Sequence, residues 1–134
     1  PNMYKVPKNG EVVLAIQNVL ARYKVIHSQR ELREKVELEL NFGGGNFHVS
    51  GFRIRRLAVI SGIAKLKVST RATGKKGTIS DCPVCGEKLE ASRNMTIYGK
   101  TITTGFKCNK CAFWTEKNNL RRPSRYEFSM RKRR

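Results

Sequence analysis

Val12, Ile16, Val19, Leu20 and Tyr23 fall at i, i+4, i+7, i+8 and i+11. A helix turns once every 3.6 residues, so this spacing gathers the five on one face and predicts a helix over residues 10–23. A second helix is predicted from Ser28, because Ser28-Gln29-Arg30-Glu31 has the form of a capping box. In that motif a hydroxyl and a carboxylate satisfy backbone N–H groups that a helix start leaves unpaired. Leu32, Val36 and Leu40 then form its buried stripe, and Glu31 and Lys35 make a favourable i, i+4 pair. Residues 41–46, which contain Gly43-Gly44-Gly45, read as a loop. Ser50 is an N-cap for a third helix that ends near Gly62, with Ile54, Leu57 and Ala58 turned inward. Arg55 and Arg56 project the other way, and Arg53 sits at the edge of that face.

After Ile63 the period shortens to two. Ala64, Leu66, Val68 and Thr70 alternate with Lys65, Lys67, Ser69 and Arg71, the pattern of a half-buried strand with a cationic outer face. Residues 73–77, rich in Gly and Lys, read as a turn or flexible connector. Three short helices followed by a strand and a basic turn resemble a winged helix-turn-helix. The departure from that pattern is the connector over residues 41–49, longer than the three or four residues usual in such motifs.

All four cysteines lie in two knuckles, Cys82-Pro83-Val84-Cys85 and Cys108-Asn109-Lys110-Cys111. Two residues between cysteines let both thiolates of a tight turn face one metal ion, and two such turns complete a tetrahedral four-thiolate site. Met95 to Tyr98 and Thr101 to Thr103 are strand-like, and Gly99-Lys100 is expected to be the two-residue turn of a hairpin that returns one knuckle to the other. Disulfides and unrelated buried thiols are the alternatives; paired C-x2-C knuckles without a secretion signal favour one zinc ion. Cys82-Pro83-Val84-Cys85-Gly86 and Phe106-Lys107-Cys108-Asn109-Lys110-Cys111 resemble a zinc ribbon. Four thiolates leave no open position for water or substrate, so the expected zinc is structural. A ribbon of about 40 residues buries too little core to fold alone, and metal binding supplies the difference.

Charge changes the picture most. Lys and Arg number 28 against 10 Asp and Glu, a net +18. Self-repulsion of that size destabilises a compact chain unless a polyanion is near. No Asp or Glu occurs between residues 41 and 80, which carry Arg53, Arg55, Arg56, Lys65, Lys67, Arg71, Lys75 and Lys76. A merely solvated surface would intersperse both signs. The C-terminal segment adds Arg121, Arg122, Arg125, Arg131, Lys132, Arg133 and Arg134, and Arg suits bidentate phosphate contact and stacking on bases. Tyr126 and Phe128 among them either offer stacking surfaces or pack beside Phe113 and Trp114. A nuclear-localisation role for this segment would explain less of the chain. His27 and His48 read as loop residues with no nucleophile or carboxylate paired to them. Gly74-Lys75-Lys76 lacks the spacing of a phosphate loop. An enzyme is therefore not expected. No apolar run is long enough to span a bilayer, and no N-terminal segment reads as a secretion signal, so the expected setting is cytoplasmic.

Together these readings predict an α+β chain: a winged-helix-like domain over 1–76, a four-cysteine zinc ribbon over 77–118, and a basic C-terminal extension over 119–134. The design is similar to small archaeal-type ribosomal proteins, most specifically over residues 82–114. That resemblance implies a structural ribosomal protein that binds rRNA by backbone and shape, beside neighbouring ribosomal proteins, with no membrane and no small-molecule substrate. The competing expectation is a winged-helix/zinc-ribbon DNA-binding regulator whose third helix enters the major groove. A protein-binding translation or polymerase factor is a third class, which an exposed apolar patch would favour.

Overall fold

The helices begin where the sequence supplies caps. In a computed structural model of the chain, in which residues 5–131 are described, Ser28 Oγ accepts the Glu31 N–H at 3.1 Å and Ser50 Oγ accepts the Arg53 N–H at 3.1 Å. These serines open α2 (Gln29–Leu40) and α3 (Gly51–Ile60), while the Glu11 carboxylate accepts the Lys8 N–H at the start of α1 (Asn9–Tyr23). Only the serine half of the expected box at α2 forms: Glu31 faces Lys35 instead, at 3.5 Å. Val12, Ile16, Val19, Leu20, Leu32, Val36, Ile54 and Ala58 are buried as their spacing implies, whereas Leu40 and Leu57 are half-buried and Tyr23 is exposed under the Lys35 ammonium.

Lys24 ends α1 in a left-handed conformation, φ 68°, rare for a residue with a side chain. The chain thereby turns into a two-residue strand, β1 (Val25–Ile26), that the sequence did not reveal. The long connector between α2 and α3 is pinned at both ends. Asn41 receives the Phe47 N–H on Oδ1 and donates from Nδ2 to Phe47 O, and Lys5 exchanges backbone hydrogen bonds with Asn46 and His48.

After β2 (Ala64–Ala72) come β3 (Leu89–Met95), β4 (Thr101–Cys108), β5 (Trp114–Glu116) and β6 (Arg121–Met130). Among the described residues the fold is mixed α+β, with three helices and two small antiparallel sheets of order β1-β6-β2 and β3-β4-β5. Residues 121–130, expected to be part of an extension, are thus a strand that neighbours both β1 and β2. The register with β1, Val25↔Ser129 and Ile26↔Phe128, explains why. It sets Phe128 opposite Ile26, and both are fully buried, as are Ile16, Leu20, Leu32 and Ile54 of the helices. Burial of an aromatic ring outweighs the exposed charges on the same strand.

By compactness the chain divides into two units. The first comprises residues up to Lys67 together with those from Tyr126 on, and the second runs from Val68 to Arg125. Sequence alone divides the chain into consecutive stretches. The structural division instead falls within β2 and within β6.

In the second unit β3 and β4 pair from Leu89↔Cys108 to Met95↔Thr101, with an irregularity at Ser92 and Arg93. The hairpin turn differs from the expected Gly99-Lys100. Thr96 and Lys100 close it (Thr96 N–H to Lys100 O, 2.7 Å), and the Gly99 N–H returns to Thr96 O at 3.0 Å. The loop is Ile97-Tyr98-Gly99, and Gly99 takes the positive φ of 81° that this three-residue turn requires. β5 then pairs with β4 through Phe106↔Thr115. A Cβ on Gly105 would collide with the Thr115 carbonyl, so only glycine allows this approach. Among the described residues no helix is long and apolar enough to cross a membrane.

Candidate metal centre and cationic surfaces

Each knuckle is built the same way from backbone hydrogen bonds. The Cys82 N–H reaches Glu87 O at 2.8 Å, and the Cys108 N–H reaches Phe113 O at 2.9 Å, five residues on in both cases. Two residues past each leading cysteine, the Val84 N–H points at Cys82 Sγ and the Lys110 N–H at Cys108 Sγ, both at 3.4 Å. The Cys111 N–H also points at Cys108 Sγ, at 3.4 Å. N–H groups directed at sulfur stabilise a thiolate rather than a thiol. Gly86, φ 82°, completes the first turn and returns its N–H to Cys82 O at 2.8 Å.

The pairing of β3 with β4 places Leu89 opposite Cys108 and so brings the knuckles together. All four Sγ atoms lie within 4.8 Å of one another. Cys82–Cys111 and Cys85–Cys108 are 3.6 Å apart, and Cys85–Cys111 is 3.9 Å. A tetrahedron with metal–sulfur bonds of about 2.3 Å has edges of about 3.8 Å, so these separations fit one ion. They are far from the roughly 2.05 Å of a disulfide. Cys82, Cys85 and Cys108 are buried and Cys111 partly so. The four cysteines could therefore hold a single metal ion.

Without a cation the cluster cannot carry four negative charges. The hydrogen bond from Cys111 pushes the Cys82 thiol down to about 5, against its burial. Burial pushes Cys85 up to about 12. Cys111 is driven up, first by the hydrogen bond to Cys82 and then by burial. A dication replaces the missing positive charge and displaces protons from the raised thiols.

The basic residues separate into engaged and exposed groups. Arg53 is turned inward: its Nη2 donates to Pro7 O at 2.6 Å and Asn9 Oδ1 at 2.7 Å, clamping the start of α1 to α3. Arg55 donates to Gln29 Oε1 at 3.1 Å and lies over the Tyr126 ring, 4.5 Å from its centroid. Arg56 is half-buried. Arg121 is held between the Trp114 ring and Thr70, whose Oγ1 accepts its Nε–H at 2.6 Å. Lys65, Lys67 and Arg71 occupy exposed alternate positions of β2, Lys75 and Lys76 are exposed beyond it, and Arg122 and Arg125 are exposed on β6. Arg131 is exposed just after β6, and its N–H donates to Ile63 O at 2.9 Å. Lys132, Arg133 and Arg134 lie outside the described residues. Of the two aromatics on β6, Phe128 joins the helical core, away from both expected roles, and Tyr126 is half-buried under Arg55.

Both histidines face carboxylates that sequence separation hides. His27 Nδ1 lies 3.2 Å from Glu127 Oε1, and Lys67 approaches the other oxygen at 4.0 Å. His48 Nδ1 lies 3.4 Å from Glu37 Oε2. Also missed were the cations of the β3–β4 hairpin, Arg93 and Lys100, both exposed. Their signal was available: no Asp or Glu occurs between Glu90 and Glu116. The chain matches no protein-family model, no curated protein and no solved structure.

Proposed function

We propose that the chain is a structural, RNA-binding protein of the ribosome, in which one zinc ion shapes the four-cysteine unit and exposed cations engage rRNA phosphates. The observation that carries this reading is the distribution of exposed charge. Lys65, Lys67, Arg71, Lys75, Lys76, Arg122 and Arg125 are exposed, and residues 41–80 contain no acidic group, although Lys67 approaches the Glu127 carboxylate. Such surfaces supply sequence-independent affinity by releasing counterions from a phosphate backbone. Zinc is the favoured ion because four thiolates in a tetrahedral array suit it, and their closed shell gives it a structural part rather than a catalytic one. Neighbouring ribosomal proteins would complete the setting, and no small-molecule substrate is assigned.

One observation favours a second reading, a winged-helix/zinc-ribbon regulator that binds DNA. The order α1, β1, α2, α3, β2, β6, with β6 between β1 and β2 in the sheet, resembles a winged helix whose wing has been replaced by the cysteine unit. Arg53 and Arg55 on α3 are engaged within the protein, which leaves that helix fewer side chains to read bases.

Cross-linking in cells followed by separate RNase and DNase digestion distinguishes the two. Release by RNase, with co-sedimentation on a ribosomal subunit, is the expected result. Release by DNase alone transfers the proposal to the regulator, and release by neither removes both.

A further inference from the structure

Turns ordinarily carry Gly, Pro, Asn, Asp or Ser, each for a conformational reason. The tip of the β3–β4 hairpin carries Ile97 and Tyr98 instead. They are 92% and 85% exposed, and Met95 beside them is 73% exposed. Ile102, on the returning strand, is about half exposed at 49%. The tip is not loose. Besides the two backbone bonds that close the turn, the Lys100 N–H donates to Thr96 Oγ1 at 3.2 Å. The apolar side chains are therefore held outward by an ordered turn, at one end of the four-cysteine unit.

The charge around them selects the occupant. Arg93 and Lys100 flank the tip, and Lys107 and Lys110 follow along the same hairpin and its knuckle, all exposed. Between Glu90 and Glu116 there is no acidic residue. A protein pocket for an apolar plug needs no such uniform sign, whereas a polyanion with apolar faces does. Nucleic acid has that combination: phosphates outside, base planes within. Apolar side chains wedge between base steps, and aromatic rings stack on bases that have left the helix.

We propose that the hairpin tip is a wedge for RNA: Tyr98 stacks on an unpaired base, Ile97 and Met95 fill the space it vacates, and Arg93 and Lys100 hold the flanking phosphates. This rests on the reading of the chain as RNA-binding and deepens it by naming an unpaired base as the feature recognised. Bases in bulges and loops are the accessible ones in RNA, since the major groove of a paired stem is too narrow to enter.

The test uses the full zinc-loaded chain and two probes, an RNA stem with one bulged 2-aminopurine and the same stem fully paired. Tyr98→Ala is expected to retain zinc and melting behaviour, because the side chain is exposed. It is expected to weaken binding to the bulged stem about tenfold, with less than about a twofold change on the paired stem. Wild type is expected to quench the 2-aminopurine on binding, Tyr98→Phe to quench it equally, and Tyr98→Ala to leave it bright. Equal loss on both stems, or undiminished affinity and quenching in Tyr98→Ala, overturns the wedge while RNA binding stands. Failure of the wild-type chain to bind either stem overturns the parent reading, and the wedge with it.

Discussion

The two units are held by different physics. The first buries Val12, Ile16, Leu20, Ile26, Leu32, Ile54 and Phe128 completely, enough apolar surface to organise three helices. In the second the buried side chains are few: Cys82, Cys85, Cys108, Val84, Phe106, Phe113 and Thr115, with side chains along β3 mostly exposed. One unit folds by withdrawing hydrocarbon from water; the other buries little and instead gathers four cysteines that could hold a metal ion.

Cys108→Ser is the largest intervention. Structural zinc contributes on the order of 10 kcal/mol or more to folding, so the variant is expected to lose its zinc and the dispersed amide signals of β3 to β5. The helical circular dichroism of the first unit should persist. Full zinc content with an unaltered spectrum would show that the second unit does not depend on its metal. Phe128→Ala reverses the experiment. Removing a fully buried ring costs about 3–5 kcal/mol and should lower the helix melting temperature at constant zinc per chain. Loss of zinc with intact helices would place that ring's importance in the wrong unit.

The pH dependence sharpens the comparison further. In the metal-free cluster Cys85, raised to about 12, and Cys111, also raised, both hold protons at neutral pH. Binding must expel at least these two protons, so metal affinity should climb by at least about a hundredfold per pH unit on going from about pH 6 to about pH 8. Acidification therefore works against the second unit, whose Cys82 takes up a further proton near its value of about 5. Competition against a chromophoric chelator measures the slope, and a flat profile would mean that the metal-free cluster is already ionised. Gly105→Ala is the mildest change. The new methyl meets the Thr115 carbonyl, which is backbone and cannot rotate away. An overpacking cost of about 1–3 kcal/mol is expected, read as faster hydrogen exchange across β4 and β5 with zinc retained.

Features that depend on neighbours in sequence were legible. Ser28 and Ser50 cap the helices they were expected to cap, and β2 keeps its alternation, shifted by one residue at each end. The cysteine cluster follows from spacing because each knuckle is made by bonds within six residues. The strand β6 was not legible. Its Arg-rich sequence with Pro123 argues against a strand flanked on both sides. Its partner β1 is two residues long and about a hundred positions earlier, and its register becomes visible only once Phe128 needs a core to enter. Sequence also cannot show which of several arginines is spent at home. Arg53, Arg55 and Arg121 share the charge of their exposed neighbours and differ only in what lies within reach of the guanidinium.

Thr73 and Leu120 are joined by a 2.8 Å hydrogen bond from the Thr73 N–H to the Leu120 carbonyl. The stretch enclosed by that pair leaves and rejoins its host through a single doorway, in the manner of a cassette spliced into a hairpin. Inheritance can therefore lengthen, exchange or prune what lies beyond the doorway without re-threading the remainder, because the two ends that must meet already touch.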